Sequence, residues 1–268
     1  MQDQVKSFCQ KYNLYKENEI QQIQLRHRFA LVEAFDIQGG MRVLEIGCGQ
    51  GDTTVVLADI VGDTGHVLAL DIAASDYGAP LTLAQAHAQI QSSPLGKRIS
   101  FHLETDFLTF HLLENIDVVV LSHSSWYFKS KEQLLQYFKR AKQLGVKLCF
   151  AEWDMAYTSL QQRSHFCAVS VLALYSAFIE NEGNIQNVWS KSQSLAIAET
   201  ANFQLKKSVI VEADYLQDGG WERDYANAIA DEFEIAPLSI QALIKSYIEV
   251  MNETQEVASL NSFVQVFE

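Results

Sequence analysis

The stretch VLEIGCGQGDTT, residues 43–54, joins a short apolar run to three glycines at alternate positions, Gly47, Gly49 and Gly51. Residues 42–46 have the length and apolar content of a buried strand. Residues 53–61 have helix-length apolar content, and Gly62 with Gly65 closes them. A glycine turn between strand and helix lets backbone approach a ligand where any Cβ would clash. The helix start adds unpaired N–H groups and a positive dipole end, where anionic or polar ligand groups sit well. The dinucleotide fingerprint GxGxxG needs glycines at 47, 49 and 52, but position 52 is Asp52. Here the spacing is GxGxG, and an acid, Glu45, lies two residues ahead of it.

Outward from the loop, strand and helix signals alternate. Residues 17–36 place Ile20, Ile23, Leu31 and Ala34 at near-helical spacing before Gly39-Gly40. Strands are expected at 66–71, 99–106, 116–124 and 146–153, and the nearly continuous apolar runs 118–121 and 146–150 suggest burial on both faces. Between the last two lies an amphipathic helix with Leu134, Leu135, Phe138 and Ala141 inward and Gly145 as its stop. Such alternation predicts a parallel sheet covered by helices on both sides. The second half reads differently: long helices over 158–179 and 237–257, with strand-like runs at 205–213 and 262–268. With no internal repeat, low-complexity tract or linker, residues 1–268 read as one domain with helical insertions.

Composition narrows the function. Twenty basic against 33 acidic residues give a net charge of −13, a field that repels phosphate backbones and anionic membranes. The densest basic patch, Lys139, Arg140, Lys142 and Lys147, reads as a solvated helix face followed by a strand. Neither nucleic acid nor membrane is expected as a partner. The polar N-terminal residues 1–19 lack the apolar core of a signal peptide. Cys9, Cys48, Cys149 and Cys167 are scattered, with no CxxC and no histidine at ligand spacing, which fits reduced thiols in a cytoplasmic protein and no zinc site.

The pattern ExGxGxG after a strand resembles motif I of the class I S-adenosylmethionine-dependent methyltransferases. The resemblance continues in order through residues 20–153 and, by topology, through 205–268. It implies an α/β, Rossmann-like doubly wound sheet of about seven strands, the last antiparallel, with helical cap insertions at 154–200 and 214–260. It further implies S-adenosylmethionine as methyl donor and S-adenosylhomocysteine as product. Gly47, Gly49 and Gly51 would line the donor's amino-acid tail and Glu45 would meet its ammonium. Asp71, closing the second strand, would accept both ribose hydroxyls, and Ile72 takes the position beside the adenine ring. Asp106 would face the adenine amino group, with Phe107 as a flat apolar neighbour. Ser122 ends the fourth strand, where the methionine end and the acceptor meet. Acids suit a ligand carrying an ammonium and a sulfonium and disfavour a pyrophosphate. One departure stands out: IAASDYGAPLTL follows Asp71 where the family starts a helix at once, with Thr82 as a cap for 83–91 and Tyr77 either lining the adenosine pocket or lying on the surface.

On the acceptor side, SHSSWYF (122–128) should rim the pocket. His123 is the candidate base because it titrates near neutrality, its other role being a histidine that hydrogen-bonds backbone. Tyr127 is its catalytic companion, and Trp126, Tyr127 and Phe128 suit either ring stacking or core packing. Glu152 and Asp154 can hold an amine, orient His123 or cap a helix. Trp221 and Tyr225 in GGWERDY (219–225) suit either a hinged aromatic lid or a surface helix packed on the sheet. The Asp-Asn pair that closes a strand in the metal-dependent, catechol-type branch of the resembled family is absent, so the resemblance implies no metal. The function expected is methyl transfer to an N, O or C nucleophile of a small molecule by a monomer or homodimer. A non-catalytic cofactor- or partner-binding relative and a nicotinamide-dependent dehydrogenase are the alternatives.

Overall fold

A computed structural model describes residues 2–268. The helices are α1 (Gln2–Tyr12), α2 (Glu19–Phe35), α3 (Asp52–Val61), α4 (Leu83–Gln91), α5 (Lys131–Gln143), α6 (Leu160–Phe178), α7 (Lys191–Thr200), α8 (Asp218–Ala228) and α9 (Leu238–Asn252). The strands are β1 (Arg42–Ile46), β2 (His66–Leu70), β3 (Ile99–His102), β4 (Val118–Ser122), β5 (Lys147–Trp153), β6 (Leu205–Val211) and β7 (Ser262–Phe267). They form a single sheet in the order β3-β2-β1-β4-β5-β7-β6. β1 to β5 pair in parallel, and β7 runs antiparallel to both β5 and β6. The expected seven-strand architecture with an antiparallel last strand is the one observed.

The sheet separates two apolar layers. On one face α1, α2 and α3 cover Val43, Val67, Val118, Val120 and Cys149. On the other, α5 to α9 cover Leu44, Val119, Leu121, Leu148 and Phe150. β4 is buried along its whole length and β5 along nearly all of it, which is why they read as unbroken apolar runs rather than alternating ones. Helix starts follow the polar residues that cap them. Asn18, Ser130 and Ser159 accept from the third residue of α2, α5 and α6, and Thr82 with Gln85 and Ser190 with Gln193 form capping boxes on α4 and α7.

Beyond shifts of a few residues at element ends, two helices and one strand end depart from expectation. α1 occupies a segment with no expected helix, where Val5, Phe8, Cys9 and Tyr12 make an inward stripe and Phe8 packs edge-on against Phe29 of α2. α7 was likewise not expected as a separate helix. β3 stops at His102 instead of reaching residue 106. Its chain turns at Glu104, whose φ is +52°, and folds back so that Thr105 N–H donates to Asp71 O at 2.9 Å. The residues after β3 are thereby tied to the end of β2 and no longer extend the sheet.

Candidate active site

The C-terminal ends of β1, β2 and β4 open into a cavity of about 760 Å³ lined by the glycine loop, by the segment after Asp71 and by the turn after β4. This is the crevice outside the carboxyl ends of a doubly wound sheet, where its order reverses. Gly49 N–H donates to Asp71 Oδ2 at 2.8 Å and Ala73 N–H to Oδ1 at 2.9 Å, so Asp71 fixes the loop before any ligand does. A carboxylate has about four acceptor positions, which leaves two for a diol. At Gly47, where φ is +73°, an added Cβ would lie 2.5 Å from Ser124 Cβ. At Gly49, where φ is +51°, it would meet nothing within 4 Å. Gly47 is therefore required by the protein's own packing, and Gly49 leaves room on the cavity side. His87 holds the loop from outside, its Nε2 2.7 Å from Gly49 O and its ring stacked on Phe101.

Glu45 lies at the cavity floor, 2% exposed, and accepts from Thr54 Oγ1 at 2.5 Å. Burial pushes its carboxyl up to about 8, with Asp52 and Asp71 adding repulsion and Thr54 and Arg28 opposing. Arg28 of α2 also lines the cavity. Its Nη2 reaches Gln24 Oε1 at 3.4 Å, while Nε and Nη1 are enclosed without partners. Sequence reasoning missed Arg28. The available signal was a cation between His27 and Phe29 on an inward helix face.

Ile72, Phe107 and Ser122 line the cavity. Ile72 is largely exposed, Phe107 is fully buried with its ring 5.7 Å from Tyr137, and Ser122 Oγ has no partner. Asp106 is not in the lining. Its Oδ1 accepts from Tyr137 Oη at 2.6 Å and from Leu108 N–H at 2.8 Å, so this oxygen caps a turn and anchors α5.

His123 lines the cavity from a left-handed backbone conformation (φ +52°) held by its N–H to Ala151 O. Both ring nitrogens face protein groups. Nε2 lies 2.9 Å from Ser262 Oγ, which also lies 3.0 Å from His27 Nε2, and Nδ1 lies 3.3 Å from Glu152 Oε1. Burial lowers the His123 pKa below its ordinary value against the pull of Glu152. Glu152 in turn accepts from the N–H and Oγ of Ser125 and from its neighbour Trp153 N–H. A buried chain Glu152–His123–Ser262–His27 thus links β5, the turn after β4, β7 and α2, with Trp153 stacked parallel to His27.

Tyr127 and Tyr77 both reach the cavity, from opposite loops. Desolvation, then neighbouring Tyr77 and Glu222, push the Tyr127 hydroxyl above its ordinary value. Trp126 is buried and Phe128 lines the wall beside Tyr137. Asp154 caps a turn through Ala156 N–H and lies 3.8 Å from Lys191. Trp221 and Tyr225 lie on α8, part-exposed and outside the lining. Among the described residues no group of three or more metal-ligating side chains is found and no helix is long and apolar enough to cross a membrane.

Fold, glycine loop and acid-tipped strands together define the class I S-adenosylmethionine-dependent methyltransferase architecture. The chain belongs to this family: a family model described as "Methyltransferase domain" matches residues 37–211. Methyltransferase phomM of Diaporthe leptostromiformis is 30% identical over 161 residues, which cover 52% of this chain and 42% of that protein. The chain therefore aligns with less than half the length of that curated relative. Among solved structures, a cyclopropane-fatty-acyl-phospholipid synthase-like protein from Lactobacillus casei is 33% identical with a TM-score of 0.89, over 100% of this chain and 99% of that one. A methyltransferase from Thiobacillus denitrificans in complex with S-adenosyl-L-homocysteine shares the fold at 14% identity, with a TM-score of 0.52 over 91% of this chain and 90% of that one.

Proposed function

We propose that the protein transfers a methyl group from S-adenosylmethionine to an N, O or C nucleophile of a small organic molecule. The observation that carries this reading is the glycine loop tied to Asp71 above a floor that holds both a carboxyl, Glu45, and a guanidinium, Arg28, two of whose nitrogens have no partner. A zwitterionic amino-acid tail matches that pair, with Arg28 taking its carboxylate and Glu45 its ammonium. Asp71 offers its two remaining acceptor positions to the ribose hydroxyls. Ile72 and Phe107, both in the cavity lining, border the purine, while Asp106 supports that wall from behind through Tyr137. A dinucleotide would bring a pyrophosphate against Asp71 and into a pocket floor whose buried carboxyls, Glu45 and Asp52, could then not ionise without repelling it.

The donor supplies an electrophilic methyl carbon on a sulfonium. The chain's own part is to hold the acceptor at contact distance, which can contribute roughly 7–11 kcal/mol. Ser122, His123 and Tyr127 face the place where donor and acceptor meet. Glu152 Oε1 and Ser262 Oγ, 3.3 Å and 2.9 Å from its two ring nitrogens, hold His123 at the cavity wall, and general-base help from it would require one of these contacts to open. The net charge of −13 supports a small acceptor over nucleic acid. Calorimetry with S-adenosylhomocysteine and with NADH tests the reading. Binding of the first alone is expected, and binding of NADH alone would overturn it.

A further inference from the structure

The segment between β2 and α4, residues 72–81, closes a loop on the cavity. Ile72, Ala73, Ala74, Asp76 and Tyr77 belong to the lining, on the side that the donor reading gives to ribose and purine. Both ends of the segment are fastened to consecutive residues of the glycine loop. At the start, Asp71 accepts from Gly49 N–H at 2.8 Å, and Ala73 O accepts from Glu104 N–H at 3.2 Å. At the return, Gln50 Nε2 donates to Leu81 O at 2.6 Å. The start continues from β2, which is paired on both sides, so the Gln50 bond decides where the outer end of the loop lies.

Little else holds the segment down. Residues 74–80 are exposed, and an exposed loop with no buried apolar core of its own is located by its hydrogen bonds. Two of these, Leu83 N–H to Tyr77 O at 2.8 Å and Ala84 N–H to Ser75 O at 3.0 Å, join it to the first turn of α4, whose N–H groups have no partner within the helix. They shape the loop without tying it to the cavity. α4 is tied to the glycine loop separately, through His87 and Gly49 O. Gly78 bears on the same Gln50 bond from the other side. Its φ is +102°, and a Cβ there would lie 3.1 Å from Leu81 O and 3.4 Å from Gln50 Nε2, the two atoms that make the tie. A side chain at this position would press on both.

We propose that Gln50 is a positioning residue: its amide holds residues 72–81 as a strap across the adenosine of the bound donor, and so sets how long the donor stays. The inference rests on the methyl-transfer reading above and adds a residue to it. Lifting the strap breaks the Gln50 bond and opens the adenosine side of the cavity, while α4 and the glycine loop stay joined through His87. One neutral hydrogen bond is worth about a fivefold change in an equilibrium. Gln50 therefore tunes the dwell time of the donor and does not decide whether it binds.

The test uses the full chain and begins with calorimetry of S-adenosylhomocysteine. No binding overturns the methyl-transfer reading and this inference with it, whereas every later outcome bears on the strap alone. Dissociation is then followed by surface plasmon resonance for S-adenosylhomocysteine and for methylthioadenosine, which keeps the adenosine and lacks the amino-acid tail. Gln50→Met, close in shape and unable to donate, should raise both off-rates about fivefold without slowing the on-rates. Gly78→Ala should raise them too, and the double variant should go no further than the larger single effect, because both changes act on one bond. An unchanged off-rate in a folded Gln50→Met, an effect confined to S-adenosylhomocysteine, or additive effects overturns the proposal. If Gln50→Met does not fold, hydrogen exchange on the native protein decides. Methylthioadenosine should slow exchange at the Tyr77, Leu83 and Ala84 amides, and unslowed exchange there overturns the strap.

Discussion

Replacing Glu45 with Gln removes a buried ionisable group and keeps the acceptor for Thr54 Oγ1. The Glu45 carboxyl lies at about 8 in the folded protein against an ordinary value of 4.5. Between those pH values the folded state holds a proton that the unfolded chain has released. Folding stability from this group is therefore fully present below pH 4.5, falls as pH rises through the window and levels off above about 8. At about 1.4 kcal/mol per decade of proton affinity, the loss is on the order of 5 kcal/mol. Glu45→Gln cannot ionise, so its stability should fall less steeply with pH. The difference between wild type and variant isolates Glu45 from Glu222, which titrates in the same direction. Denaturant titrations at pH 5, 6, 7, 8 and 9 measure it. The variant's stability relative to wild type should climb by several kcal/mol from pH 5 to pH 9. A pH-independent difference refutes the burial argument. The same ionisation links to the donor: an ammonium beside Glu45 favours its charged form, so donor binding at pH 7 should release a proton, seen as a dependence of calorimetric heat on buffer ionisation enthalpy.

Other outcomes follow from the same geometry. Asp71→Ala removes the anchor of Gly49 and, under the proposed donor reading, two charge-assisted ribose contacts, and should weaken S-adenosylhomocysteine about 100-fold or more by calorimetry. Gly47→Ala forces a Cβ to 2.5 Å from Ser124 Cβ at positive φ and should cost about 3 kcal/mol in chemical denaturation. Gly49→Ala meets open space and should cost only about 1–2 kcal/mol, yet weaken the donor by intruding on the cavity. Ser262→Ala leaves the enclosed Nε2 atoms of His27 and His123 unpartnered, and should cost about 1–3 kcal/mol with little change in donor affinity.

The strand–loop–helix fold of the first half was legible because its signals are local. The glycine spacing, the acid at each end of the loop and Asp71 at the tip of β2 all lie within 30 residues of sequence, where strand period and turn chemistry act directly. Asp106 was placed at a strand tip because Ile99, Phe101 and Leu103 alternate with polar residues as in a strand; the return of Thr105 to Asp71 O depends on two separate chain segments meeting. Arg28 and Ser262 were invisible for the same reason, since each becomes chemically significant only where α2 or β7 packs against the end of β4 or β5. α1 and α7 were missed although their signals were present: apolar residues at 5, 8, 9 and 12, and the capping pair Ser190 and Gln193. There the polar composition of the flanking sequence outweighed the spacing.

The place of β7 in the sheet bears on how the molecule is made. It lies between β5 and β6, yet 109 residues separate Trp153 from its partner Ser262. At ribosomal speeds the outer edge of β5 waits on the order of ten seconds for that partner. Over that interval it is an open template for foreign strands. Ser262 then arrives with β7 and bridges His27 and His123, a contact spanning 235 positions to His27. A chain halted before residue 262 therefore carries the whole glycine loop but lacks the hydroxyl that joins the two histidines.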